Sequence, residues 1–85
     1  MFDLDARWRL HPQVAVRPEP FGALLYHFGT RKLSFLKNVT VVEVIRSLPD
    51  QPSARHALAA AGVDDPAPYA RALAVLADSK MLVRA

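Results

Sequence analysis

The sequence predicts an α+β domain, a three-stranded antiparallel sheet followed by a bundle of three short helices. Three observations carry that prediction. Residues 22–36, GALLYHFGTRKLSFL, are two short apolar runs hinged at Gly29 and Thr30. A loosely alternating stretch precedes them, and three segments with helical start and stop signals follow. A lone hairpin is marginal in water, so its apolar face needs cover, and amphipathic helices supply it.

The first strand falls within residues 7–18. Trp8, Leu10, Val14 and Val16 alternate there with Arg7, Arg9, Gln13 and Arg17. Pro12 suits an edge strand or a bulge, and Pro18 and Pro20 break the strand before the hairpin. In the hairpin, Gly29 at the first central position suits a two-residue type II′ turn. That turn pairs Phe28 with Arg31, Tyr26 with Leu33 and Leu24 with Phe35. Leu24, Tyr26, Phe28, Leu33 and Phe35 then share one face, expected to lie under the helices. Ala23, Leu25, His27, Lys32, Ser34 and Leu36 occupy the other. With those three pairs as the narrow, hydrogen-bonded ones, the backbone of Lys32, Ser34 and Leu36 points to the open edge.

Thr40 and Glu43 have capping-box spacing, which favours helix over strand in the β-branched run that follows. Val41, Val42, Ile45 and Leu48 share a helical face, and Pro49 ends it. A second helix runs from Ser53, as N-cap, to Gly62. The third has Asp65 as N-cap and Pro66 at its first position, with Tyr69, Leu73 and Leu76 on one stripe. Met81, Leu82 and Val83 close the chain.

The 85 residues suit one domain, 1–85, with no linker or repeat. At 52% hydrophobic and 22% charged, the composition is that of a folded chain. The absence of cysteine excludes disulfides and cysteine-held iron–sulfur clusters. Asp3, Asp5, Arg7 and Arg9 stand where a signal peptide needs an apolar core, and no apolar run is long enough to cross a bilayer. A cytoplasmic location without membrane attachment is expected.

No catalytic or metal site is expected, and no cofactor. His11, His27 and His56 lack metal-ligand spacing and read as surface or boundary histidines. Ser53 lies three residues before His56, yet capping explains it without a nucleophile. Asp64 and Asp65 suit a helix N-terminus. The second and third helices also resemble a helix-turn-helix, so winged helix-turn-helix DNA binding is the alternative function. Asp64 and Asp65 at the head of the would-be recognition helix oppose it, because they repel phosphate. The net charge of +3 favours an acidic partner. The open edge of the third strand could accept a guest strand, or its lysines could simply block aggregation; the two look alike in sequence.

The segment ALLYHFGTRKLSFLKNVTVVEVIRSL (23–48), with two short helices and a terminal Met81, Leu82 and Val83, resembles the PqqD-like peptide chaperones, or RiPP recognition elements. WRLHPQVAVRPEPFGALLYHFGTRKLSFLK (8–37), above all RPEPFGALLYHFGTRKLSFL (17–36), is similar to the chaperones of the mycofactocin system. The resemblance implies a winged-helix-like domain without catalytic activity. It would hold the acidic leader of a ribosomally made precursor peptide as an extra strand, and present that peptide to a radical S-adenosylmethionine (SAM) enzyme. The carried-over peptide site falls on Arg31, Lys32, Leu33, Ser34, Phe35 and Leu36. On the third helix it falls on Arg71, Ala72, Val75 and Ser79. Arg31, Lys32, Lys37 and Arg71 would steer the acidic leader.

Overall fold

The computed structural model describes residues 2–85 and is α+β, with a three-stranded antiparallel sheet and three helices. The predicted first strand is two strands, β1 (Trp8–Leu10) and β2 (Val14–Glu19), parted at Pro12. β3 (Gly22–His27) and β4 (Leu33–Leu36) form the hairpin. Then come α1 (Val39–Ser47), a 3-10 turn at Leu48–Asp50, α2 (Ala54–Ala60), α3 (Ala67–Asp78) and β5 (Leu82–Arg84). The main sheet has the order β2-β3-β4, while β1 pairs with β5 in a separate two-stranded ribbon. That ribbon escapes the sequence reading because Leu82 to Arg84 are too few to show alternation.

Local chemistry explains the helix ends. Asn38, rather than Thr40, caps α1, because its Oδ1 accepts from the amides of Thr40 (2.9 Å) and Val41 (3.3 Å). The helix therefore starts two residues before the expected capping box could act. Ser53 caps α2 as expected, its Oγ accepting the His56 amide. Ala6 and Leu4 carbonyls accept from Ala54 and Arg55, so the N-terminal segment satisfies two further free amides of that helix. Gly62 follows α2 with φ +82°, a left-handed stop. Asp65 accepts the Ala67 amide at 3.2 Å just ahead of α3.

The core lies between the helices and one sheet face. Leu25, Val44, Ile45, Leu48, Leu58, Leu73, Met81 and Leu82 are fully buried in it. Tyr69 packs half-buried at its margin, so the α3 stripe of Tyr69, Leu73 and Leu76 faces inward as expected.

The sheet, however, presents the opposite face from the one expected. The pairs Tyr26–Leu33 and Leu24–Phe35 form as predicted. Yet Ala23, Leu25 and His27 are buried, while Phe28, Leu33 and Phe35 are exposed and Leu24 and Tyr26 only half-buried. The reason lies in β2. Val14 and Val16 pair with His27 and Leu25, and Ala15 and Arg17 with Tyr26 and Leu24. Residues paired across a sheet share a face, so the two valines join Leu25 against the core and Arg17 sits with Leu24.

Candidate functional site

Two hydrogen bonds fix the polarity of the hairpin. The Phe28 amide donates to the Gln13 carbonyl at 2.8 Å, so β3 faces β2 through alternate residues that include Phe28, Tyr26 and Leu24. The His27 amide donates to the Lys32 carbonyl at 3.0 Å, so His27, Leu25 and Ala23 face β4. Lys32, Ser34 and Leu36 therefore spend their backbone groups on β3. In agreement, the Leu36 carbonyl oxygen fills the place a side chain on Gly22 would need. The groups aimed at the open edge belong to Leu33 and Phe35, the opposite alternation from the one expected.

The turn is the cause. It is not a two-residue type II′ loop but runs from Phe28 to Arg31, with the His27 carbonyl accepting the Arg31 amide at 2.7 Å. Arg31 takes the left-handed conformation, φ 62°. Four loop residues keep the cross-strand pairs of a two-residue loop but exchange narrow and wide positions. His27, expected at the surface, is only 3% exposed. Its Nδ1 accepts the amides of Gly29 (3.0 Å) and Thr30 (3.1 Å) and so braces the turn from inside. Its ring lies 4.4 Å from that of His11.

β4 is an edge strand; no other described strand pairs with its far side. Two hollows lie at or beyond its C-terminal end, one lined by β4 itself and one by the helix starts that follow. One, of about 420 Å³, is lined by Phe21, Phe35 and Lys37 on the outer face. The other, of about 400 Å³, lies between the starts of α1 and α3 and is lined by Asn38, Val41, Pro68, Tyr69 and Ala72. Phe21, Asn38, Val41 and Pro68 are absent from the residues expected at the site. Asn38, just after the strand and with a side chain suited to capping, is the one of these the sequence signalled.

Of the expected residues, Arg31 and Lys32 are exposed at the turn and Leu33 and Phe35 are exposed on β4. Ser34 and Leu36 turn toward the helices, half-buried. Ala72 is the α3 candidate that lines the second hollow. Arg71 and Val75 are exposed outside that lining, and the Ser79 hydroxyl is engaged by its own helix, donating to the Val75 carbonyl at 2.6 Å. Arg31, Lys32, Lys37 and Arg71 form no ion pair among the described residues. The edge thus offers unpaired backbone, an apolar hollow at Phe35 and uncommitted positive charge, with a second hollow at the nearby starts of α1 and α3.

A charged contact lies away from this edge. The guanidinium of Arg55, hydrogen-bonded to Asp5 at 2.9 Å, holds that exposed carboxyl below its ordinary range, and Arg55 is raised in turn. Ser53 Oγ lies 2.6 Å from His56 Nδ1, but the same oxygen also accepts the His56 amide as a helix cap. No described helix is long and apolar enough to cross a membrane.

Comparison with known proteins gives concordant results. The family model described as the peptide chaperone MftB family matches residues 7–83. The chain is 74% identical over 84 residues to the peptide chaperone MftB of Mycolicibacterium smegmatis, covering 96% of this chain and 82% of that protein. It is 71% identical to the protein of that name from Mycobacterium ulcerans and 68% identical to the one from Mycobacterium tuberculosis. Each of those alignments covers 96% of this chain and 77% of the relative. No solved structure gives a significant match.

Proposed function

The chain belongs to the peptide chaperone MftB family, and from that premise we propose that it binds the leader of a ribosomally made precursor peptide as a fourth strand on β4. The family is non-catalytic, and the chain acts by holding its peptide. The leader-bound chaperone serves a radical SAM enzyme of the mycofactocin system, which carries out the chemistry. The architecture is read as PqqD-like, with β4 and the start of α3 framing the peptide.

The observation that carries this reading is the outward backbone of Leu33 and Phe35, with one apolar hollow at Phe35 and another at the starts of α1 and α3. A guest strand would satisfy those groups in the sheet-extension mode and drop alternate side chains into each hollow. Backbone pairing and apolar contact supply most of the affinity. Exposed charge pairs from Arg31, Lys32, Lys37 and Arg71 to an acidic leader contribute about 0–1 kcal/mol each.

Leu33→Pro tests the edge, because it removes an outward amide while an edge strand tolerates proline there. A buried-edge hydrogen bond contributes about 1 kcal/mol net, so labelled precursor should bind roughly five- to tenfold more weakly by fluorescence anisotropy. Leu33→Ala, which keeps the amide, should lose less. If folded Leu33→Pro binds no more weakly than Leu33→Ala, strand addition at this edge is wrong.

A further inference from the structure

We propose that the buried His27 positions the β4 edge for its guest strand, its imidazole holding the turn from which Leu33 leaves with its backbone aimed outward. The inference rests on the leader-strand reading above and deepens it.

One residue fastens four consecutive residues of the turn. His27 Nδ1 accepts the amides of Gly29 (3.0 Å) and Thr30 (3.1 Å). The His27 carbonyl accepts the Arg31 amide at 2.7 Å, and the His27 amide donates to the Lys32 carbonyl at 3.0 Å. These bonds hold Arg31 at φ 62°, a conformation that few residues other than glycine adopt. Leu33 comes next, the first residue of β4 and the first whose backbone groups point to the open edge. The place of those groups, and of the Arg31 and Lys32 cations before them, therefore follows from where His27 holds the turn.

The turn is shaped around the ring. A Cβ on Gly29 would lie 2.9 Å from His27 Cε1 and 2.5 Å from Gln13 Oε1. Gly29 does not take a positive φ, so it is needed here for space. The His11 ring at 4.4 Å and Val14, the partner of His27 on β2, are the neighbours on the protein side.

Stability alone does not account for a histidine at this position. With Nδ1 accepting, the ring proton sits on Nε2, which is buried with no hydrogen-bond partner among the described residues. A buried donor without a partner destabilises a fold, and phenylalanine would fill the same space without one. Asparagine is a usual acceptor for turn amides just ahead in the chain, yet it is too small to fill a position only 3% exposed. Histidine combines the acceptor with the filling ring.

The test sets those two properties against each other. His27→Phe keeps the ring and loses the acceptor. His27→Asn keeps an acceptor near the place of Nδ1 and leaves a void, so it should melt at the lower temperature of the two. It should nevertheless bind labelled precursor at least about fivefold more tightly than His27→Phe by fluorescence anisotropy. Binding that follows melting temperature across the two variants, or a gap below fivefold, overturns the proposal. Long-range 1H–15N NMR of the wild type reads the ring directly and does not depend on either variant folding. Nε2 should carry the proton, and a proton on Nδ1 overturns the proposal. Wild-type protein that binds no precursor overturns the leader reading itself, whereas wild-type binding with no gap between the variants overturns this inference alone.

Discussion

The inverted sheet face makes a sharp energetic prediction from two single truncations. Leu25 is fully buried within the cluster that includes Val41, Val44, Ile45 and Leu48, whereas Phe35 is 61% exposed. Leu25→Ala removes about three carbon atoms from a closed core and leaves a cavity, costing about 2–5 kcal/mol. Phe35→Ala removes more atoms but mostly from water, and costs under about 1 kcal/mol. A chain of this size has a total stability of about 4–13 kcal/mol, so Leu25→Ala spends a large share of it. At about 4–8 °C per kcal/mol, the melting temperature should fall by roughly 8–40 °C for Leu25→Ala and by less than about 8 °C for Phe35→Ala. Urea titrations followed by circular dichroism measure both, and an unchanged slope shows that the comparison is two-state. If Phe35→Ala proves the costlier change, Leu24, Tyr26 and Phe28 face the core and the assignment of the buried face is wrong.

Two other substitutions probe the same framework. Gly22 has φ +147°, and the Leu36 carbonyl occupies the space of its missing side chain, so Gly22→Ala should force β3 and β4 apart. Thermal melts should show a loss of at least about 2 kcal/mol together with weaker precursor binding, since β4 carries the edge. The depressed Asp5 carboxyl contributes stability above its unfolded value, and that contribution is lost as pH falls through the lower folded value. Arg55→Met should therefore lower the urea midpoint slightly at neutral pH and leave it equal to wild type well below about pH 4.

Much of the fold was legible because short-range chemistry dictates it. Ser53 and Gly62 bound α2 in the sequence and in the structure, and the Tyr69, Leu73 and Leu76 stripe reads directly as the inner side of α3. The cross-strand pairs of the hairpin were legible too, since a two-residue and a four-residue loop give the same pairs. The buried face was not, because both hairpin faces carry apolar residues and the hairpin alone cannot rank them. That decision belongs to β2, where Val14 and Val16 oppose His27 and Leu25, a longer-range pairing than any turn signal reports. The edge alternation failed for a different reason. It depends on Arg31 adopting a left-handed conformation and on His27 accepting two turn amides, and neither residue type announces that role.

The corrected alternation changes what a guest must look like. In an antiparallel addition, guest residues opposite Leu33 and Phe35 share the outer face with those side chains, beside the Phe21 and Lys37 hollow. The intervening guest residues turn inward, toward the hollow walled by Val41, Tyr69 and Ala72. A slip of one residue exchanges the two sets, and the hollows differ: one has two aromatic rings and an ammonium, the other a tyrosine and small aliphatic groups. Lys32 and Lys37 stand at the two ends of β4, five residues and about 17 Å apart along an extended chain. A guest with carboxylates at a matching separation meets both only when its apolar residues also fall on the correct sides. Each such charge contributes too little to hold the peptide, yet a difference of about 1 kcal/mol between adjacent registers already populates one roughly fivefold over the other. On the proposed strand-addition reading, backbone and apolar contacts set how tightly a leader binds, and the exposed lysines set where along the strand it comes to rest.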